Sequence, residues 1–389
     1  MDDLESMLRT WDHMSPAHNR RKWEIFGYAR ENCPVVRTSD GDGFWLVTRY
    51  EDVRRVLEDW RTFSSTESGT TPSPVPLPPI DTDPPVHTAI RHLLNPLFSR
   101  AAVTRYEPVM RATARGLIDR WIDRGSVELL SEYSGPYAAA MLTELIFTEF
   151  GPEDLDHAMA EVQRFSEDPS PQVFAGLYEL SSRYLAMARE RGVTEDGVVY
   201  RVLNGTLDGQ PLPEDMQLGV LTILMIGGLG TSRGAIGNIA YRLATTPGAE
   251  DRLRDPGWPQ RDLDEFLRLD SPVACLARVA TRDTELGGAR IKAGERVQVR
   301  YDSANRDESR FRDPNTLVFD ETRGGNAAFG LGVHRCVGSH LARLEIEVAF
   351  DELLRKVRNL RLTPGAEITW TPGNTNDLDA LHLEFDRTG

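Results

Sequence analysis

Only three cysteines occur among 389 residues, Cys33, Cys275 and Cys336, too few and too scattered for a disulfide framework. No CxxC pair is present, and none of the eight histidines forms HExxH or a similar spacing, so the common zinc sites are excluded. Positive charge is short as well: 45 basic residues face 60 acidic ones, a net charge of −15. Binding a phosphate backbone or an anionic membrane surface needs a basic face, so neither nucleic acid nor a membrane is expected as a partner. The longest apolar run, Val220 to Ile226 with one threonine, is far too short to cross a bilayer. Met1 to Pro16 has no basic-then-apolar leader pattern, and the expectation is a soluble cytoplasmic protein. Lysine is nearly missing too, at positions 22, 292 and 356 alone; no function follows from that.

What is present is ordinary globular composition, 40% hydrophobic and 27% charged. A length prior alone suggests two or three domains, and the chain can bury a core able to hold a sizeable cofactor. Pro34 to Ser39 and Phe44 to Arg49 read as a hairpin around Asp-Gly-Asp-Gly, followed by a helix from Tyr50 to Trp60. Ser64 to Pro85 is rich in Ser, Thr and Pro, which fits either a linker or a functional loop. His87 to about Glu190 has a helical pattern with breaks at Pro96, Pro108, Gly125, Gly151 and Pro169. The longest helical stretch is Leu212 to Thr246, and Asp262 to Asp270 forms another helix ending at Ser271-Pro272. Short strands are expected over Arg278 to Tyr301, a helix over Ser339 to Val357, and hairpins over Leu360 to Phe385.

The densest signal is Phe329-Gly-Leu-Gly-Val-His-Arg-Cys-Val-Gly338, where glycines bracket one cysteine just before a helix. Unpaired N–H groups and the positive end of the helix dipole favour a thiolate there. Val337, Gly338 and Ser339 are placed to donate to a bound sulfur. A lone cysteine is otherwise an inert buried thiol. The full string resembles the haem-binding signature of the cytochrome P450 family, Phe-x-x-Gly-x-His/Arg-x-Cys-x-Gly, at every fixed position. The likeness extends along almost the whole chain and is greatest to soluble bacterial members of the camphor-hydroxylase type.

That resemblance implies one domain over residues 1–389, mainly α with small β-sheets. Haem b would lie between the long helix and the cysteine loop, with Cys336 as axial ligand. It implies that His87 and Arg91, Arg278, and His334 bind the haem propionates, a task suited to cations because buried carboxylates need charge-assisted hydrogen bonds. Phe329 and Gly338 complete the cofactor-binding set. Glu265-Phe-Leu-Arg268 matches the family's Glu-x-x-Arg, which places both groups on one helix face; a buried pair closed by Arg323 is implied.

Within the long helix, Ile226-Gly-Gly-Leu-Gly-Thr-Ser232 carries a cluster of glycines, each costing about 1 kcal/mol in a helix, so a bulky group is expected against the backbone. A dinucleotide-binding reading fails because the next glycine is misplaced and the motif lies inside an apolar helix. The stretch is similar to the family's oxygen-binding motif, with Thr231 as its hydroxyl and Gly230 where an acid is expected. Pocket residues are expected within Ser65 to Ile80, Val162 to Val173, Ile223 to Thr231, Val273 to Leu276 and Asn374 to Asn376. Arg91, Arg100, Arg105, Arg111 and Arg115 outnumber the single acid Glu107 between Pro84 and Ile118; either they steer an acidic partner or they form a solvated face.

The resemblance implies a monomeric haem-thiolate monooxygenase that hydroxylates or oxidatively dealkylates a small organic substrate. Electrons would come from NAD(P)H through a reductase and a ferredoxin, and thiolate donation to iron would promote O–O cleavage. Because Gly230 replaces the helix acid, oxidative coupling, desaturation or nitrogen-oxide chemistry is the alternative. A haem sensor without catalysis is the third reading.

Overall fold

The computed structural model describes residues 2–39, 41–66, 75–145, 147, 152–167, 170–193, 195, 197–255, 258, 260–319 and 324–388. The expected hairpin forms strands β1 (Val35–Arg37) and β2 (Trp45–Val47), paired antiparallel with Val35 opposite Val47. With β3 (Phe63–Ser64), β5 (Cys275–Ala280) and β6 (Arg296–Arg300) they make a five-stranded sheet in the order β1-β2-β6-β5-β3. Only β2 and β6 run parallel. A second sheet joins β7 (Val357–Leu362), β8 (His382–Arg387) and β4 (Ser126–Glu128), with β8 in the middle. Strands are a minority, and helices carry the rest.

The helices that position the cavity are α1 (Tyr50–Glu58), α2 (Val86–Leu94), α3 (Glu107–Asp119), α4 (Gly135–Leu145), α5 (Pro171–Arg191), α6 (Glu214–Thr245), α7 (Gln260–Leu269) and α8 (Ser339–Lys356). Helix α6 is 32 residues long and apolar on all sides, the pattern of a helix surrounded by protein. By length and composition it is able to cross a membrane, yet 61% of its apolar window is buried by this chain's own elements. Helices α4 and α5 pack on it, and α8 packs on both α3 and α6.

The break expected at Pro108 is present: the helix Arg100–Thr104 ends before it and α3 starts at Glu107, with Pro108 in its first turn, where its missing N–H has no intrahelical partner to lose. The bulk expected against the α6 glycines is other protein at positions 219, 228, 234 and 237, while Gly227 lies open to the cavity. A Cβ at Gly219 would lie 2.2 Å from the Pro76 carbonyl oxygen, and one at Gly228 would lie 2.7 Å from Leu142. The expected breaks Gly151 and Pro169, and residues 67–74 of the proline-rich segment, lie outside the described residues.

Glu265 and Arg268 form a fully buried bidentate pair, with both contacts at 2.8 Å. Arg268 also donates to the carbonyls of Asn305, Pro314 and Thr316, while Glu265 accepts from the Val318 N–H. Arg323, the expected third member, lies outside the described residues. Removing the guanidinium would leave a buried carboxylate and three carbonyls without it. Arg268→Ala is therefore expected to cost about 3–5 kcal/mol, read as a lowered denaturation midpoint of the holoprotein. Arg268→Lys restores only part, because an ammonium cannot reproduce the fork.

Candidate active site

A cavity partly open to solvent separates α6 from the loop that carries Cys336. The loop is shaped by glycine and by its own backbone: the Cys336 N–H donates to the Phe329 carbonyl at 2.8 Å and the Gly330 N–H to the Ala327 carbonyl at 2.9 Å. At Gly332 the backbone has φ +68°, and an added Cβ would lie 2.4 Å from the Leu57 carbonyl oxygen, against the end of α1. Gly338 caps the start of α8, and its N–H is the one expected donor that reaches the Cys336 thiol. Cys336 keeps surface open to the cavity, yet the protein crowded around its sulfur pushes the thiol up. The Gly338 N–H and the charges of Arg91 and Arg335 oppose that shift without overcoming it. The dipole alone does not make this thiolate; a bound metal ion would, since coordination deprotonates a thiol.

Beside the loop lies a cluster of buried nitrogen groups. His87 and His334 lie with ring centroids 4.3 Å apart and their planes tilted by 55°. Burial, followed by the charges of Arg91 and Arg278, pushes His87 down to about 4. Burial together with Arg278, His87 and Arg91 pushes His334 down to about 2. Both ring nitrogens of His87 lack a hydrogen-bond partner, while His334 Nε2 meets the Ser65 hydroxyl at 2.8 Å. Arg278 is fully buried and donates to the neighbouring Ala277 carbonyl. Burial lowers its pKa, and no carboxylate pairs with it among the described residues. Such a set is costly without an anion and fits a buried dicarboxylate. Arg91 lines the same cavity, but its guanidinium is turned to the Arg335 carbonyl at 2.8 Å and to Asn95. Phe329 forms part of the wall, with the Arg343 guanidinium 4.9 Å over its ring.

On the α6 side, Gly227, Gly228, Thr231 and Ser232 form the wall. The Thr231 hydroxyl donates to the Gly227 carbonyl at 2.6 Å. Gly230 is half-buried and is not part of the wall. Of the expected pocket segments, Pro79 and Ile80, then Ile223, Leu224, Gly227, Gly228 and Thr231, and Val273 and Leu276 do contribute. Asn374 and Asn376 do not, because the sheet and the amino-terminal region use their polar groups. The Asn374 side-chain oxygen accepts from the Cys275 thiol at 3.3 Å, and that of Asn376 from the buried Lys22 ammonium at 2.7 Å. Val162 to Val173 contributes no wall residue among those described.

The arginine patch is also revised. Arg111 pairs with Glu107, Asp351 and Glu352, and Arg115 with Glu352. Arg105 lies over the Tyr106 ring, 4.7 Å from its centroid. Asp351 and Glu352 of α8 thus neutralise part of the surplus positive charge expected for this stretch.

Sequence reading missed Ser232 and Glu345, both on the cavity wall. A signal existed: Leu341, Glu345, Val348 and Glu352 share one face of α8, so helical spacing puts acids on an apolar face.

The family model for Cytochrome P450 matches residues 260–366. The chain is 34% identical over 377 residues to a probable cytochrome P450 127A1 of Sinorhizobium fredii, covering 92% of this chain and 88% of that one. To the linalool 8-monooxygenase of Pseudomonas putida it is 31% identical over 367 residues, covering 87% and 89%. Among solved structures, cytochrome P450 CYP109Q5 from Chondromyces apiculatus superposes with a TM-score of 0.85 at 28% identity, covering 98% of this chain and 100% of that one.

The loop geometry can be tested directly. Gly332→Ala is expected to cost roughly 1–3 kcal/mol from the left-handed backbone alone, with the Leu57 clash adding to it. A lowered melting temperature of the holoprotein would report it, while Gly41→Ala, where nothing lies within 4 Å, isolates the backbone term.

Proposed function

The chain belongs to the cytochrome P450 family, and from that premise we propose a haem-thiolate monooxygenase that places one oxygen atom from O2 into an uncharged, mostly apolar organic molecule. The observation that carries it is one cavity bounded by Cys336 on one side and Thr231 on the other. Haem b, when bound, supplies thiolate-supported reductive activation of dioxygen.

The chain's residues take the other tasks. Cys336 would hold the haem iron through its sulfur, and Phe329 and Gly338 shape the loop that presents it. His87, His334 and Arg278 would bind the propionates as buried donors, and Arg91 would join them from α2. Leu94, Phe98, Leu142, Ile223, Val273 and Leu276 exclude water and favour apolar surface over charge. Thr231 keeps a hydroxyl at the wall whose hydrogen is engaged by Gly227, leaving its lone pairs for a donor in the cavity. Relatives such as linalool 8-monooxygenase carry an oxidised small organic molecule in their name, which agrees with this wall.

Electrons come from NAD(P)H through a ferredoxin reductase and a ferredoxin. Its docking charge is supplied by Arg100 and Arg335, exposed near His340, rather than by the paired Arg111 and Arg115. The alternative of coupling, desaturation or nitrogen-oxide chemistry draws on Gly230, which has no proton to give. Turnover under isotopically labelled dioxygen separates the two: one labelled atom in the product is expected. A coupled or desaturated product without label would replace this reading.

Ligation is tested spectroscopically. Ferrous protein with carbon monoxide is expected to show the red-shifted Soret band of thiolate ligation, and Cys336→His to lose it. Cys33→Ser and Cys275→Ser should keep it; retention in the Cys336 variant would overturn the assignment.

A further inference from the structure

We propose that Lys22 is a positioning residue for the substrate-facing wall: its ammonium orients the Asn376 amide, which in turn holds the segment carrying Pro272 and Val273. The inference rests on the reading above that the cavity receives a small organic substrate. Pro272 and Val273 line that cavity. Lys22 opens the helix Lys22–Asn32 and is only 3% exposed. Its Nζ donates to Asn376 Oδ1 at 2.7 Å and lies 4.9 Å from the Trp23 ring centroid and 5.4 Å from that of Trp370. No carboxylate pairs with it among the described residues. Asp302 and Asp270 act on it from a distance, but Arg300 holds the first, while Arg242 and Arg306 hold the second. Burial pushes the ammonium down to about 8, with Arg300 and Arg306 adding to that shift, and it stays charged at pH 7. Lys292 and Lys356, the other lysines, pair instead with exposed acids.

The two ends of an amide differ, the oxygen accepting and the nitrogen donating. At Asn376 the cation decides which end points where. With Oδ1 on Lys22, Nδ2 faces the Ser271 carbonyl at 2.8 Å, and the Asn376 main-chain N–H reaches the Pro272 carbonyl at 2.9 Å. The Asn376 carbonyl accepts from Asn238 Nδ2 at 2.7 Å, and Asn238 stands about two turns beyond Thr231 on α6. One residue thus joins both halves of the wall, the segment between α7 and β5 and the central helix. A hydrocarbon would fill the place of the ammonium without its burial cost, so stability alone gives little reason for a charge here. Orientation gives one, because a charged donor holds its acceptor roughly twice as strongly as a neutral donor. The loop around Asn376 has other anchors. Asn19 donates to the Trp370 carbonyl, the Gly373 N–H to the His13 carbonyl, and Arg233 pairs with Asp377. Loss of the ammonium therefore frees the amide and leaves the loop docked.

Ligand titration of the ferric holoprotein, followed by its Soret band, tests this without turnover. Imidazole needs the iron alone, whereas 4-phenylimidazole also needs room against the wall. In Lys22→Met the ratio of the 4-phenylimidazole to the imidazole dissociation constant is expected to rise about fivefold or more, with imidazole itself unchanged. Asn376→Ala should raise the ratio alike, and adding Lys22→Met to it should change little further, because both act through one amide. The red-shifted carbon monoxide band should persist in each variant. If Lys22→Met yields no holoprotein, the unsubstituted protein decides. There the ratio for the neutral ligands should rise above about pH 8, where the ammonium loses its proton, and stay level in Asn376→Ala. An unchanged or lower ratio in Lys22→Met, full additivity with Asn376→Ala, or a level pH profile in the fallback would overturn the proposal. Unlabelled product from labelled dioxygen would instead overturn the monooxygenase reading and leave the ratio standing.

Discussion

Cys336 is held in place by a run of hydrogen bonds that starts at the buried Glu265–Arg268 pair. Arg268 donates to the Asn305 carbonyl, and the Asn305 side chain receives the Ala327 N–H at 2.7 Å while donating to Ser271. Ala327 in turn accepts from Gly330, and Phe329 accepts from Cys336. Each bond alone contributes about 1 kcal/mol. Their value lies in being serial, since every link fixes the next donor. An isolated ion pair with desolvated charges is weak evidence for stability. Here Arg268 also ties three carbonyls of the segment leading to the cysteine loop. The pair is better understood as fixing the sulfur's position than as adding net stability.

The same low-dielectric interior has opposite effects on the two walls of the cavity. At the His87–His334–Arg278 cluster it makes unneutralised positive charge expensive, which holds the imidazoles neutral and favours an anion beside them. At Glu345 it makes negative charge expensive, which keeps a proton on the acid. A single polar medium would erase both effects. The apolar wall therefore sets the protonation of groups on either side of the cavity.

Much of this was legible in the sequence because local spacing carries it. The cysteine loop, the Glu-x-x-Arg pair, the hairpin and α6 are each defined within about a helix length, and each forms where expected. What was not legible depends on partners far along the chain. Arg111 and Arg115 look like free charge until Asp351 and Glu352 arrive from more than 230 residues away. Asn374 and Asn376 look like pocket donors until the strand at Cys275 and the buried Lys22 claim them. The α6 glycines advertise close approach correctly, but composition cannot say what approaches: Pro76, Leu142 and Leu130 do. Glu345 was readable in principle from the face it shares with Leu341, and was hidden by the usual assumption that helix acids face water.

Two buried costs sit side by side in this fold, an arginine beside two neutral imidazoles with no paired carboxylate among the described residues, and a carboxyl with no paired cation among them. They do not cancel, because they face different parts of the cavity. If stability alone decided, hydrophobic residues of similar volume would serve better in both places. A group that binds the folded chain and not the unfolded one offsets the first cost by mass action. The second cost has no such compensation from a bound anion, so it persists in the working enzyme. A fold with ample core elsewhere, from the helices around α6 to the two sheets, can carry that local penalty. The cost at His87 and Arg278 therefore points toward binding.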